Sequence, residues 1–120
     1  MFNNLLASGK LVYVDIDDGI SRVLGNSSLY KRMLGLFLKS KEFAEFESFL
    51  AVNDLQSAEA AVHAVKGIAG NLSLKKLFDT SSALMAKLRN NEVDDELIAR
   101  YRDDLEKTIL VVNEVIEKIG

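Results

Sequence analysis

The chain carries one histidine, His63, and no cysteine. The histidine opens the run His63-Ala64-Val65-Lys66-Gly67-Ile68-Ala69-Gly70-Asn71-Leu72. Imidazole titrates near neutral pH, so an unprotonated ring nitrogen is available there as a nucleophile. Lys66 follows at i+3, the adjacent turn of a helix, from which its ammonium can offset negative charge placed on the ring. That pairing suits phosphoryl transfer, which depends on positioning and charge neutralisation more than on covalent machinery. No second base and no carboxylate cluster accompanies the histidine. The segment therefore reads as a carrier with a reactive side chain, and the remaining machinery has to come from a partner. A lone histidine without thiols excludes multi-histidine and thiolate metal sites.

The run must be helical for this spacing to matter. At about 100° per residue, Leu55, Ala58, Val62, Val65, Ala69 and Leu72 form one apolar stripe. His63 lies about 140° round from its centre, on the solvent side. Glu59, Ala60, Lys66, Gly67 and Gly70 share that outer half. Ala60, Gly67 and Gly70 leave it bare of side-chain bulk. A glycine within a helix costs roughly 1 kcal/mol relative to alanine, so two of them need a reason. Close approach of an external partner to His63 is one, and close packing of a neighbouring helix is the other.

The elements around this helix follow from apolar periodicity and caps. Met1–Ala7 is expected as a helical turn, and Leu11–Val14 as an extended segment over the core. Asp15 or Asp17 can cap a short helix running to Leu24, with Gly25 as its stop. Ser27 or Ser28 opens a helix carrying Leu29, Tyr30, Met33, Leu34, Phe37 and Leu38. The pattern continues through Phe43, Phe46 and Phe49, with Ser40-Lys41 as a candidate interruption. Asn53 with Gln56 resembles a capping box, which starts the histidine helix near Asp54. A further helix spans about Leu74 to Arg89, with Leu77, Leu84, Met85 and Leu88 inward, and Asn90-Asn91 ends it. Asp94 caps the last, which carries Leu97, Ile98, Tyr101, Leu105, Ile109, Val112, Val115, Ile116 and Ile119. Four long amphipathic helices with short connections predict an all-α, antiparallel four-helix bundle.

Composition agrees with that class. The 120 residues are one domain's worth, 48% of them hydrophobic, and there is no proline to interrupt a helix. The net charge of −3 and the lone basic pair Lys75-Lys76 argue against nucleic-acid binding. No apolar run approaches the roughly 18 residues of a membrane span, and Met1–Ala7 lacks a signal-peptide pattern. A cytoplasmic monomer is the default expectation.

The histidine segment resembles the histidine-containing phosphotransfer (HPt) domain of bacterial and eukaryotic phosphorelays. Members carry His, an apolar residue, Lys and Gly, then small residues, then Leu-Gly. The pattern stands here as His63, Val65, Lys66, Gly67, Ala69, Leu72, Ser73 and Leu77. The similarity extends upstream through Gly19-Ile20, Arg22, Leu24-Gly25-Asn26, Leu29-Tyr30, Leu34 and Phe37. It also covers the Ala83–Arg89 helix. Two positions depart from the pattern: Ser73 replaces the usual glycine, and Ile68 a small polar residue. Serine tolerates a left-handed turn less well than glycine, so a strained or reshaped loop is expected at Ser73.

The resemblance implies one domain over residues 1–120, an N-terminal extension of about 1–26 and a bundle of about 27–119. It implies that His63 is the phosphoacceptor and that Lys66 neutralises charge. Glu59, Ala60, Gly67 and Gly70 would then border the docking site, within an apolar patch. The implied partners are receiver domains of response regulators or hybrid histidine kinases. These bring the Mg²⁺, and this chain holds no cofactor or metal of its own. Two other functions fit the residues: a binding module that docks a receiver without chemistry, and a phosphoacceptor module of a histidine kinase. The absence of a Gly-rich nucleotide motif means that the chain has no kinase activity alone.

Overall fold

In the computed structural model, which describes residues 1–119, all regular structure is helical. Two 3₁₀ turns, Phe2–Leu5 and Ser8–Lys10, precede six α-helices. These are α1 (Ile16–Ser21), α2 (Ser27–Leu38), α3 (Glu42–Ala51), α4 (Leu55–Leu72), α5 (Lys75–Arg89) and α6 (Asp95–Lys118). The histidine helix α4 packs most extensively on α5 and α3, α5 packs on α6, and α2 touches both α6 and α4. Helix α3 also reaches α6: Phe46 meets Tyr101 edge-on at 5.2 Å, and Arg102 pairs with Glu47 at 2.6 Å. The α4 stripe predicted from periodicity is buried throughout, from Leu55 to Leu72.

Four helices are capped by a carboxylate or amide that accepts a backbone N–H: Asp15 from Asp18, Asn26 from Leu29, Asp54 from Ser57 and Asp94 from Leu97. Several boundaries differ from the sequence reading. Ser27 does open α2, with Asn26 as the cap that the sequence reading did not name. The α2–α3 stretch is two helices, and the break at 39–41 contains the candidate interruption Ser40-Lys41. The Asn53 capping box does not form, because Asn53 has already been used to stop α3. It takes a left-handed conformation (φ 56°), and Asp54 donates its N–H back to the Phe49 carbonyl at 2.9 Å. The same left-handed stop recurs at Ser73 after α4 and at Asn91 after α5.

Helix α1 ends at Ser21 rather than Leu24, and Leu24 and Gly25 turn the chain with positive φ. Leu11–Val14 is a turn instead of an extended segment. With no strand to pair with, its amides are satisfied locally: Tyr13 and Val14 both donate to the Lys10 carbonyl, at 3.0 and 3.2 Å. This N-terminal part clasps the α4–α5 junction. Lys76 N–H donates to the Val12 carbonyl at 2.8 Å, and Asp15 N–H to the Ser73 carbonyl at 3.1 Å. The buried Tyr30 hydroxyl reaches the Leu72 carbonyl at 2.7 Å. Tyr30 lies so close to α1 that a Cβ on Gly19 would fall 2.3 Å from its ring, which is why glycine stands there.

Candidate functional site

With the Leu55–Leu72 stripe inward, His63 is exposed on the opposite side of α4. It opens onto a hollow of about 500 Å³ between α4 and α5. Lys66, Gly67, Gly70 and Asn71 line it from α4, and Phe78 and Asp79 from α5. The far end, beyond the C-terminus of α4, is closed by Asp18 and Arg22 of the N-terminal part together with Ser73 and Lys75.

The six residues singled out in the sequence do not all meet. His63, Lys66, Gly67 and Gly70 share the hollow. Glu59 is largely buried and pairs with Arg89 of α5 at 3.0 Å, bordering a separate shallow depression. Ala60 is exposed on a third depression, facing Lys41, Glu42 and Phe49 of the α3 region. The two glycines also differ. A Cβ on Gly67 would meet nothing within 4 Å, so this glycine leaves open space beside the imidazole. A Cβ on Gly70 would stand 3.3 Å from the Phe78 ring, so its bareness serves the packing of α5. Phe78, Asn71 and Asp79 were not anticipated. The available signal was Phe78 itself: an aromatic residue beside the inward Leu77 sits on the edge of α5 nearest its neighbour helix.

Ser73 occupies the left-handed conformation that glycine usually takes (φ 60°, ψ 40°) and is buried. The turn is kept, and the departure from glycine adds a contact: the Ser73 hydroxyl donates to the Asp18 carboxylate. That bond, with the Arg22 guanidinium at 3.1 Å, holds the Asp18 carboxyl below the usual carboxylate range. Lys75 is tied to Asp15 at 2.9 Å, which raises the lysine above its ordinary value. The cations at this end of the hollow are thus internally paired. Among the described residues, no group of three or more His, Cys, Asp or Glu side chains stands together as a metal site.

The family model for the Hpt domain matches residues 32–109, more than half of the chain and inclusive of the whole histidine helix. The chain belongs to the Hpt domain family. Comparison with curated proteins and with solved structures found no match. The Hpt match begins within α2 and ends within α6, so α1 and the turns before it lie outside it. In this Hpt domain, Asp18 and Arg22 at the end of the hollow are therefore contributed from beyond the matched segment.

Proposed function

We propose that the chain is a phosphorelay intermediate that accepts a phosphoryl group on His63 and exchanges it with the aspartate of receiver domains. The observation that carries this reading is the position of the chain's single histidine. It is exposed on the solvent side of α4, has open space over Gly67 and a lysine at i+3, and lies within the Hpt match. An unprotonated ring nitrogen attacks the phosphorus of an aspartyl phosphate. The N–P bond forms as the acyl P–O bond breaks, and its electron pair returns to the aspartate carboxylate. Lys66 offsets the charge arriving on the ring. Mg²⁺ for this transfer belongs to the receiver's side.

In this role the packed helices α2–α6 act as a four-helix bundle, α2 and α3 together forming one of its columns. The domain works as a monomer that meets receivers of response regulators or hybrid histidine kinases in the cytoplasm. No helix among the described residues is long and apolar enough to cross a membrane. The experiment is incubation with a phosphorylated receiver and Mg²⁺. Acid-labile label is expected on the wild type and none on His63→Gln. Receiver binding without label would leave a docking module only, and equal label on His63→Gln would overturn the assignment.

A further inference from the structure

Three of the cations around the histidine helix are held by carboxylates: Arg22 by Asp18, Lys75 by Asp15 and Arg89 by Glu59. Lys66 is in no such pair among the described residues. Its ammonium instead lies over the face of Phe78, 5.5 Å from the ring centroid, within the reach of a cation–π attraction. Gly70, one turn beyond Lys66, lies against this ring: a Cβ there would stand 3.3 Å from it and displace it by a few tenths of an ångström.

The difference between a ring and a carboxylate matters for a phosphoryl group. A carboxylate would neutralise the lysine and occupy its N–H donors. A ring attracts the ammonium by its quadrupole and leaves both the net charge and the donors free. An unrestrained lysine would spread its charge over many rotamers, and ordering it later costs conformational entropy. We infer that Phe78 is a positioning residue for transfer at His63: its ring holds the Lys66 ammonium in the hollow beside the imidazole, and Gly70 sets the height of the ring. This rests on the phosphotransfer reading above.

Phe78 is about a third exposed, so its replacement leaves the core intact. The rate at which His63 acquires label from a phosphorylated receiver with Mg²⁺ is measured for wild type, Phe78→Leu, Phe78→Tyr, Lys66→Gln and the Phe78→Leu/Lys66→Gln pair. Phe78→Leu should slow transfer about two- to fivefold, the scale of an exposed cation–π contact. Phe78→Tyr should retain the wild-type rate, and Phe78→Leu should add nothing on Lys66→Gln. In the unphosphorylated protein, the Lys66 ε-methylene protons should be ring-current shifted in wild type and Phe78→Tyr but not in Phe78→Leu. A wild-type rate for Phe78→Leu, or undiminished slowing in the Lys66→Gln background, overturns the role while leaving His63 as acceptor. A wild type that takes no label removes the phosphotransfer reading itself, and this role with it.

Discussion

Ser73 shows how one side chain alters the end of the histidine helix. A non-glycine residue at φ 60° carries a backbone cost of about 1 kcal/mol, which the hydroxyl's bond to Asp18 offsets in part. Ser73→Gly relieves the backbone and loses the bond, so its stability should fall within about 1 kcal/mol of wild type. Ser73→Ala keeps the strain and loses the bond, and should be destabilised by about 1 kcal/mol. Urea unfolding of the two variants checks the order. The sequence marks Ser73 as a departure because the pattern it resembles has glycine at that position. It could not show Asp18 as the acceptor, which lies 55 residues away in the chain. His63 and Lys66 were legible for the opposite reason: their relation is local, fixed by helical pitch alone. Phe78 was not, since its relation to Lys66 and Gly70 depends on how α5 is seated on α4.

At the level of elements, the caps and stops explain both the successes and the misses. Long helices with a clear apolar stripe, α4 and α6 above all, fall where periodicity puts them. The boundaries shift where one residue could serve either of two helices. Asn53 could cap α4 or stop α3, and only the bond from Asp54 to Phe49 decides it. The short N-terminal elements were the hardest to read. Their conformation is set by contacts with the α4–α5 junction rather than by their own pattern. Gly19 is the tightest of these contacts, because any Cβ there overlaps the buried Tyr30 ring. Gly19→Ala should therefore cost about 2–3 kcal/mol, by displacing Tyr30 and straining its bond to Leu72. Thermal or urea unfolding gives the loss directly. A variant as stable as wild type would mean that α1 is not seated as described.

For the whole molecule, the weak point of the core is polar. Asp104 is buried on α6, and one of its carboxylate oxygens has no hydrogen-bond partner. Burial pushes its carboxyl above the usual range against the pull of Lys76 on α5, with Asp103 and Lys107 of α6 also acting on it. The folded state thus binds the Asp104 proton more readily than the unfolded chain. The penalty is absent in acid, grows as pH rises from the unfolded value to the raised folded one, and is complete above that. Asp104→Asn should raise stability by about 1 kcal/mol near neutral pH, and the gain should vanish towards about pH 3. Asp18 acts in the opposite sense: its lowered value stabilises the fold above the ordinary carboxylate range and is lost in acid. A gain for Asp104→Asn that does not change with pH would contradict burial as the cause. The interior thus bears on stability, whereas the proposed chemistry stays on one exposed face of α4.

That chemistry can be read on a single ring, because the chain has only one histidine. Protein labelled with ¹⁵N-histidine gives imidazole signals from His63 alone. After incubation with a phosphorylated receiver and Mg²⁺, one ring nitrogen should acquire coupling to phosphorus, and the coupling should disappear in acid. An imidazole spectrum that does not change while the receiver binds or loses its phosphoryl group would contradict His63 as the acceptor.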